Sequence, residues 1–537
     1  MHALSFSHLS YSWPDGRPLF SDLSLALPTG LSGIVGRNGI GKSTLLRLAT
    51  GSLSPTLGHV ERPPRLAYVP QSVTLATGAT VAEVLGVAER LAALRAIESG
   101  SVDPAHFESL ADDWLVEERA SATLADLGLE RLSLDRSVGH VSGGEATLLA
   151  IGAALLSEPD VLLLDEPTNN LDGTARDRLA ASLAGRHGAT AVVTHDRALL
   201  SAVDRIGELR EREDRTTELR WFGGALDAFE AAQATERDAA AQALVTAKAD
   251  AARQARDLVT RTEGDGKRRQ RAAKARANHE VTRGGVKAKA DQAAKTDART
   301  RRVHEQRIAA AQEQLARARS AIPRDRSIRV ELPGTEVPPR REVVRLESVV
   351  TRTGAEITAL VAGPERIHLV GPNGSGKTTL IRTILGEVTP ASGTVALPVP
   401  AGYLPQRLDV LDDALSVLDN VRRRVPEASE QEVRDLLGRF QFRGSAATAL
   451  AGTLSGGERF RAALATVLLA RPEPQLVVLD EPTNNLDFES QSQLVQALEA
   501  YRGALLVVSH DDAFVEAIAP TRVWELTDEG VRDVPWI

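Results

Sequence analysis

Three hydrophobic patterns alternate along the chain. The first is a short unbroken apolar run ending in acid: Val161-Leu162-Leu163-Leu164 leads into Asp165 and Glu166, and Leu476-Val477-Val478-Leu479 leads into Asp480 and Glu481. Consecutive apolar residues predict a strand covered on both faces in a central parallel sheet, which delivers its terminal carboxylates to the C-terminal edge, where ligands bind. A related run ends in histidine, Ala191-Val192-Val193-Thr194-His195 and again Leu506-Val507-Val508-Ser509-His510. The second pattern is a short apolar strand, a glycine-rich loop and an apolar helix, at residues 31–44 and again at 367–379.

The third pattern is nearly the absence of one. Residues 225–322 contain no proline and are rich in alanine, glutamine, lysine, arginine and acid, all but aspartate strong helix formers. Glycines at 264, 266, 284 and 285 interrupt the segment, which predicts two long helices joined near 263–285. Leu226, Phe229, Leu244 and Leu258 in one arm, with Ile308 and Leu315 in the other, offer a thin seam between antiparallel helices, too thin for a globular core.

The first and last pieces are one module written twice, at 1–222 and 341–537, flanking a linker at 223–325 and a connector at 326–340. Lys42 to Lys377 and Gln71 to Gln406 are each 335 residues, whereas Ser142 to Ser455 is 313 and both Asp165 to Asp480 and His195 to His510 are 315. The first module therefore carries about 22 extra residues between Gln71 and Ser142, in a helical stretch near 88–120. That stretch is either a tolerated surface insertion or an arm for a partner.

Composition narrows the class. A chain of 537 residues with 42% hydrophobic and 25% charged residues is an ordinary soluble protein of two or three domains. No stretch reaches the length of a membrane span, and Met1-His2-Ala3-Leu4 opens no secretory signal. With no cysteine, disulfides, cysteine-ligated metals and thiol catalysis are excluded, and a cytoplasmic setting is expected. Formal charge is −8, yet residues 264–289 carry Lys267, Arg268, Arg269, Arg271, Lys274, Arg276, Arg283, Lys287 and Lys289 against two acids, a local +7. Such a tip is either solvated charge on a spacer or a contact for RNA or DNA.

The glycine-rich loops have the context of a phosphate-binding loop. Gly36, Asn38, Gly39, Gly41, Lys42, Ser43 and Thr44 form one, and Gly371, Asn373, Gly374, Gly376, Lys377, Thr378 and Thr379 the other. The glycines let backbone N–H groups curl around phosphates, Lys42 and Lys377 supply charge to the β/γ oxygens, and Ser43 and Thr378 offer hydroxyls to Mg²⁺. Asp165 and Asp480 are expected to hold Mg²⁺ through its water shell, and Glu166 and Glu481 to polarise the attacking water. His195 and His510, at matching places in both copies, are expected to contact the γ-phosphate.

Val141-Ser142-Gly143-Gly144-Glu145 and Leu454-Ser455-Gly456-Gly457-Glu458 lie about 20 residues before the acidic strands. With them the chain resembles the ATP-binding cassette superfamily. The stretches Glu166-Pro167-Thr168-Asn169-Asn170-Leu171-Asp172 and Glu481-Pro482-Thr483-Asn484-Asn485-Leu486-Asp487, with the charged linker, make it similar to the F subfamily of soluble paired cassettes. The resemblance implies an α/β fold of two P-loop cassettes joined by a long antiparallel α-helical hairpin, closing head to tail over two ATPs with Mg²⁺. One site would join the first P-loop, Gln71, Asp165, Glu166 and His195 to Ser455, Gly456, Gly457 and Glu458. The other would join the second P-loop, Gln406, Asp480, Glu481 and His510 to Ser142, Gly143, Gly144 and Glu145. Gln71 and Gln406 would join Ser43, Thr378 and the aspartates around the metal.

The resemblance further implies an ATPase that binds the bacterial ribosome, with the hairpin near the peptidyl transferase centre, large-subunit rRNA and tRNA, as a monomer with intramolecular cassette pairing. Resistance to an antibiotic by ribosomal protection is the expectation; a general translation factor, an exporter subunit and a DNA-associated ATPase are the alternatives. Tyr11 stands where cassettes commonly place an adenine-stacking aromatic, while Ser348-Val349-Val350-Thr351-Arg352 has none.

Overall fold

The structure is a computed structural model that describes residues 4–169, 171–212, 214, 216–277, 302–303, 306–319, 332–351, 354, 356–484, 486–527 and 529–536. By internal contacts it divides into two units, Met1–Asp227 with Ser327–Ile537, and Ala228–Arg326.

In the first module the strands are β1 (Ser5–Ser12), β2 (Pro18–Ala26), β3 (Gly30–Gly36), β4 (Leu57–Glu61), β5 (Leu66–Val69), β6 (Val161–Asp165), β7 (Ala189–Val193), β8 (Arg205–Glu211) and β9 (Thr217–Gly223). They form one nine-stranded sheet in the order β4-β1-β2-β9-β8-β3-β7-β6-β5. The half containing β5, β6, β7, β3 and β8 is parallel, and β6 and β7 are buried at every position, as their unbroken apolar runs require. Strand β9 pairs antiparallel with β8, and the antiparallel strands β4, β1 and β2 join it through a single parallel pairing, Phe20 of β2 with Thr217 of β9.

The second module repeats this as two sheets. Strands β10 (Glu342–Val350), β11 (Glu356–Ala362) and β13 (Ser392–Ala396) make a three-stranded antiparallel sheet. The other sheet holds β12 (Arg366–Val370), β14 (Ala401–Leu404), β15 (Leu476–Asp480), β16 (Ala504–Val508), β17 (Arg522–Thr527) and β18 (Gly530–Pro535), ordered β14-β15-β16-β12-β17-β18.

Helices flank the parallel sheets. In the first module α1 (Lys42–Thr50) follows β3, and the extra residues fold into α2 (Val81–Val84), α3 (Ala88–Glu98), α4 (Pro104–Leu110) and α5 (Val116–Asp126). Helix α4 is capped by Asp103 with proline at its first position, and it presents Phe107 edge-on to Trp114 at 6.4 Å, both rings exposed. Helix α6 (Gly143–Leu156) precedes β6, α7 (Gly173–Ala184) lies between β6 and β7, and α8 (Arg197–Ser201) follows β7.

Helix α9 (Leu226–Ala277), which belongs to the second unit from Ala228 onward, runs unbroken for 52 residues, about 78 Å at the usual helical rise. The join expected over 263–285 is corrected in its first part, since the backbone stays helical through Gly264 and Gly266 to Ala277, and 278–285 lie outside the described residues. A single glycine costs only about 1 kcal/mol in a helix, which the neighbouring alanines and arginines outweigh. Leu226 and Phe229 are buried, Leu244 is half-buried, and in the helical residues 306–319 Ile308 and Leu315 are half-buried beside buried Ala311. The side chain of Leu258 and the segment that would join the two arms lie outside the described residues.

The second module's core includes Phe440, Phe460, Leu479, Leu494 and Tyr501, all essentially inaccessible. Phe440→Ala is expected to cost about 3–5 kcal/mol of unfolding free energy, measured by guanidinium denaturation followed by circular dichroism.

Candidate active site

Both P-loops are built by a residue that only glycine occupies comfortably. Gly41 and Gly376 cap their helices in the left-handed region, at φ 108° and 97°, so the loop turns sharply into α1 and into the helix Lys377–Ile384. This leaves N-terminal N–H groups aimed into the loop. Lys42 curls back, its Nζ donating to the carbonyl of Gly36 at 2.7 Å, to that of Arg37 at 3.3 Å and to Asn38 Oδ1 at 3.2 Å. Lys377 does the same toward Gly371 at 2.7 Å and Pro372 at 3.1 Å. Burial lowers the pKa of both ammonium groups, while Glu166 on one side and Glu481 on the other pull it back up.

The ends of β6 and β15 present their aspartates beside the hydroxyl of the same module's P-loop. Ser43 hydrogen-bonds Asp165, and Thr378 Oγ1 donates to Asp480 Oδ2 at 3.0 Å. A tyrosine closes each arrangement: Tyr68 donates to Asp165 Oδ2 and Tyr403 to Asp480 Oδ2, both at 3.4 Å. These tyrosines were not singled out from sequence, although their separation of 335 residues matches that of the neighbouring Gln71 and Gln406. Burial raises the pKa of both aspartates, and Asp165 Oδ1 is a buried oxygen with no hydrogen-bond partner. Among the described residues no three His, Cys, Asp or Glu groups cluster to hold a metal by themselves. One carboxylate with one hydroxyl in each site suits Mg²⁺, which keeps several waters and binds substrate phosphates. Gln71 and Gln406 are exposed.

Glu166 and Glu481 take positive φ values of 48° and 49°, a strained turn for a side chain of this size. The ladder holds them there, Glu166 N–H donating to Val193 O at 2.8 Å and Glu481 N–H to Val508 O at 2.9 Å. Each carboxylate thereby faces its module's histidine, with Glu166 Oε1 at 3.7 Å from His195 Nε2 and Glu481 Oε1 at 3.4 Å from His510 Nε2. Burial pushes the carboxyl groups up, Glu481 to about 7, against Lys42 acting on Glu166 and Arg176 acting on Glu481. Burial also pushes both histidines down, His510 to about 4, with Lys42 and Lys377 adding to the effect, so both rings are neutral near pH 7. His195 Nε2, His510 Nε2 and Glu481 Oε2 are buried without hydrogen-bond partners. Buried polar atoms left without partners in both sites are the mark of sites made for a polar ligand.

The modules meet across these sites. Asn38 N–H donates to Asp487 Oδ2 at 2.8 Å, Arg37 pairs with Glu489 at 3.0 Å, and Phe488 stands edge-on to His195 with centroids 5.6 Å apart. A Cβ on Gly456 would lie 3.5 Å from Asn38 Nδ2, so the second signature is seated against the first P-loop. The reverse pairing is looser: a Cβ on Gly143 would meet nothing within 4 Å, and Asn373, Gly374 and Thr378 are exposed, while Gly371, Gly376 and Thr379 are half-buried. In the first loop Gly41, Lys42 and Thr44 are buried and Gly39 is exposed. Asp172 and Asp487, which enter this junction, were also not singled out from sequence, though both end the repeated stretch that begins at Glu166 and Glu481.

Both signatures start a helix, α6 and the helix Gly456–Leu468, through a capping box. Glu145 Oε2 accepts from Ser142 N–H at 2.7 Å and Glu458 Oε2 from Ser455 N–H at 3.0 Å, so each glutamate is turned toward its own helix. Ser142, Gly143, Ser455 and Gly456 are exposed, and Gly144 and Gly457 are buried.

Tyr11 requires a correction. Its ring is only 8% exposed and belongs to the core under β1, leaving no face for adenine. Trp13, edge-on to it at 5.7 Å and 37% exposed in the turn between β1 and β2, is the available aromatic. The positive φ of His8 and of Ser348 marks corresponding places in β1 and β10, so that buried Thr351 is the second module's counterpart of Tyr11. Arg271 and Lys274 of the basic segment are exposed on α9. Lys267, Arg268, Arg269 and Arg276 also fall on α9, with side chains outside the described residues, as are Arg283, Lys287 and Lys289 altogether.

A P-loop, an acidic strand end, a histidine and a signature, each present twice on one chain, define a tandem-cassette ATPase. The ABC transporter family model matches residues 20–169 and 356–484, and the chain belongs to that family. Its relatives place it with the F type. It is 33% identical over 527 residues to the tylosin resistance ATP-binding protein TlrC of Streptomyces fradiae, covering 93% of this chain and 92% of that one. It is 31% identical to the putative ATP-binding protein YdiF of Bacillus subtilis, covering 93% and 76%, and 28% identical to ABC transporter F family member 5 of Arabidopsis thaliana, covering 93% and 71%. The solved structure of RNase-L Inhibitor superposes with a TM-score of 0.59 at 20% identity, covering 99% of this chain and 90% of that chain, a likeness of fold.

Glu166→Gln and Glu481→Gln, each alone, are expected to leave partial ATP turnover, and together to lower it by about 100-fold or more with nucleotide binding retained, as read by phosphate release and equilibrium dialysis. Trp13→Ala is expected to weaken ATP binding about tenfold, and Tyr11→Ala to lower the melting temperature instead; nucleotide titration alongside a thermal melt separates the two.

Proposed function

We propose that the chain is a ribosome-associated ATPase that engages the bacterial ribosome in its ATP-closed state and confers antibiotic resistance by ribosomal protection. The observation that carries this reading is α9, a 52-residue helix that follows the first cassette and bears a basic segment on a chain of net charge −8. A helix of that composition has no work to do beneath a membrane channel and suits a polyanion. Similarity to a relative named for tylosin resistance favours protection over a general role in translation. Among the described residues no helix is long and apolar enough to cross a membrane.

In this reading the cassettes are 1–222 and 341–537, the linker 223–325 reaches toward the peptidyl transferase centre, and Lys267 to Lys289 contact rRNA and tRNA phosphates. The setting is cytoplasmic and the protein a monomer with its cassettes paired intramolecularly. Lys42 and Lys377 bind the β/γ-phosphates, and Glu166 and Glu481 orient the attacking water while neutral His195 and His510 hold the γ-phosphate. Ser43, Gln71 and Asp165, with Thr378, Gln406 and Asp480, would hold Mg²⁺, which neutralises charge on the phosphates. ATP then closes the two halves, and hydrolysis releases them. The second reading, the ATP-binding subunit of an exporter, rests on the cassettes alone.

The test is cosedimentation of the Glu166→Gln, Glu481→Gln protein with purified 70S ribosomes in ATP, in ADP and at rising salt. ATP-dependent pelleting that weakens with salt is expected. Cassette closure on ATP without ribosome enrichment would overturn the reading and point to a membrane partner.

A further inference from the structure

The two modules superimpose in motif spacing, yet their junction is chemically lopsided. At the separation of 315 residues that relates the later motifs, Asp196 corresponds to Asp511, but Gly173 corresponds to Phe488, Arg176 to Gln491 and Arg197 to Asp512. The first cassette thus contributes two arginines and the second an aromatic, an amide and an acid. Arg197 lies over the Phe488 ring at 5.9 Å, on the side of His195. Arg176 serves the other side.

Arg176 sits in the first turn of α7, nearly buried, and its Nε and Nη1 are both directed. Nε donates to Leu171 O at 3.0 Å, in the stretch that follows Glu166. Nη1 pairs with Asp196 Oδ2 at 3.0 Å and also donates to the carbonyl of His510 at 3.3 Å, in the opposite cassette. Asp196 follows His195 directly and caps α8, accepting from Leu199 N–H at 2.9 Å. One guanidinium therefore touches the chain beside both catalytic histidines. Burying a charge is tolerated only when it is paired and hydrogen-bonded, and a planar fork that satisfies three acceptors at once holds them at fixed separation.

We propose that Arg176 is a positioning residue of the second ATP site, holding the His510 backbone from the opposite cassette and tying it through Asp196 to the loop that carries His195. Among the described residues the first site has no such clamp from its partner, and Gln491 stands at the matching place. Turnover at the Lys377 site then depends on the cassettes being closed and on the placement of the His195 loop. The two sites are unequal for a reason that the catalytic motifs themselves do not contain.

The experiment measures ATP turnover in the full chain carrying either Glu166→Gln, which leaves the second site active, or Glu481→Gln, which leaves the first. Into each background go Arg176→Gln, which supplies the residue of the other copy, and Arg176→Lys, which keeps the charge. The expected result is a kcat about tenfold lower for Arg176→Gln at the second site, with KM for ATP within about twofold. At the first site kcat should change by less than about twofold. Arg176→Lys should recover part of the second-site rate, because the ion pair to Asp196 survives when the fork geometry is lost. Equal losses at both sites, a change confined to KM, or no loss at the second site would overturn the proposal. Should Arg176→Gln fail to fold, Arg176→Lys and Asp196→Asn decide the matter by the same comparison, each lowering the second-site kcat selectively or refuting the assignment.

Discussion

A buried ammonium organises the first active site. Lys42 is almost wholly withdrawn from water, and the groups that compensate it come from two places: Glu166 and Asp165 from its own sheet, and Asp487 from the other cassette. Desolvating a lysine is costly enough that it must keep partners or lose its proton. The strand ends supply some of these, which explains why β6 is driven deep into a parallel sheet and then turned at Glu166 through a positive φ. The remaining partner is available only when the cassettes meet. The electrostatic balance of this ammonium is thus shared across the junction of the two cassettes.

The same constraint, applied twice, does not give two equal sites. Around Lys42 the P-loop is held by Asn38 to Asp487 and by Arg37 to Glu489. Around Lys377 the P-loop is more exposed, and the opposite cassette reaches the site through Arg176 and the field of Asp172. Duplication fixed the strands, the loops and the strained glutamates. The junction residues, which face one another across a seam rather than around a phosphate, were free to diverge.

Elements that follow a simple period or spacing were readable in advance. The buried strands announce themselves by unbroken apolar runs, the phosphate loops by glycine spacing, and the duplication by constant offsets. What escaped was set by three-dimensional neighbours. Tyr68 and Tyr403 sit in short strands where an aromatic ordinarily packs as core, and only proximity to Asp165 and Asp480 shows their hydroxyls at work. Tyr11 turns inward because it lies within β1, whereas Trp13, two residues on, falls past the strand end in the turn before β2 and stays accessible. Gly264 and Gly266 suggested a break, but propensity is a weak prior beside a long run of helix formers.

Charge distribution adds a constraint that no single site contains. With a net charge of −8 over the whole chain and a local +7 within residues 264–289, the remainder is strongly acidic. Against a polyanion such a molecule is repelled over most of its surface and attracted at one segment, so encounter is oriented before any contact forms. Repulsion and attraction are both screened within about 10 Å at ordinary ionic strength, and the basic segment must approach closely to be felt. A long helix rich in alanine and arginine is a stiff way to carry that segment and has little conformational entropy to lose. The α9 backbone, continuous from Leu226 to Ala277, joins the first cassette covalently to the start of that basic segment.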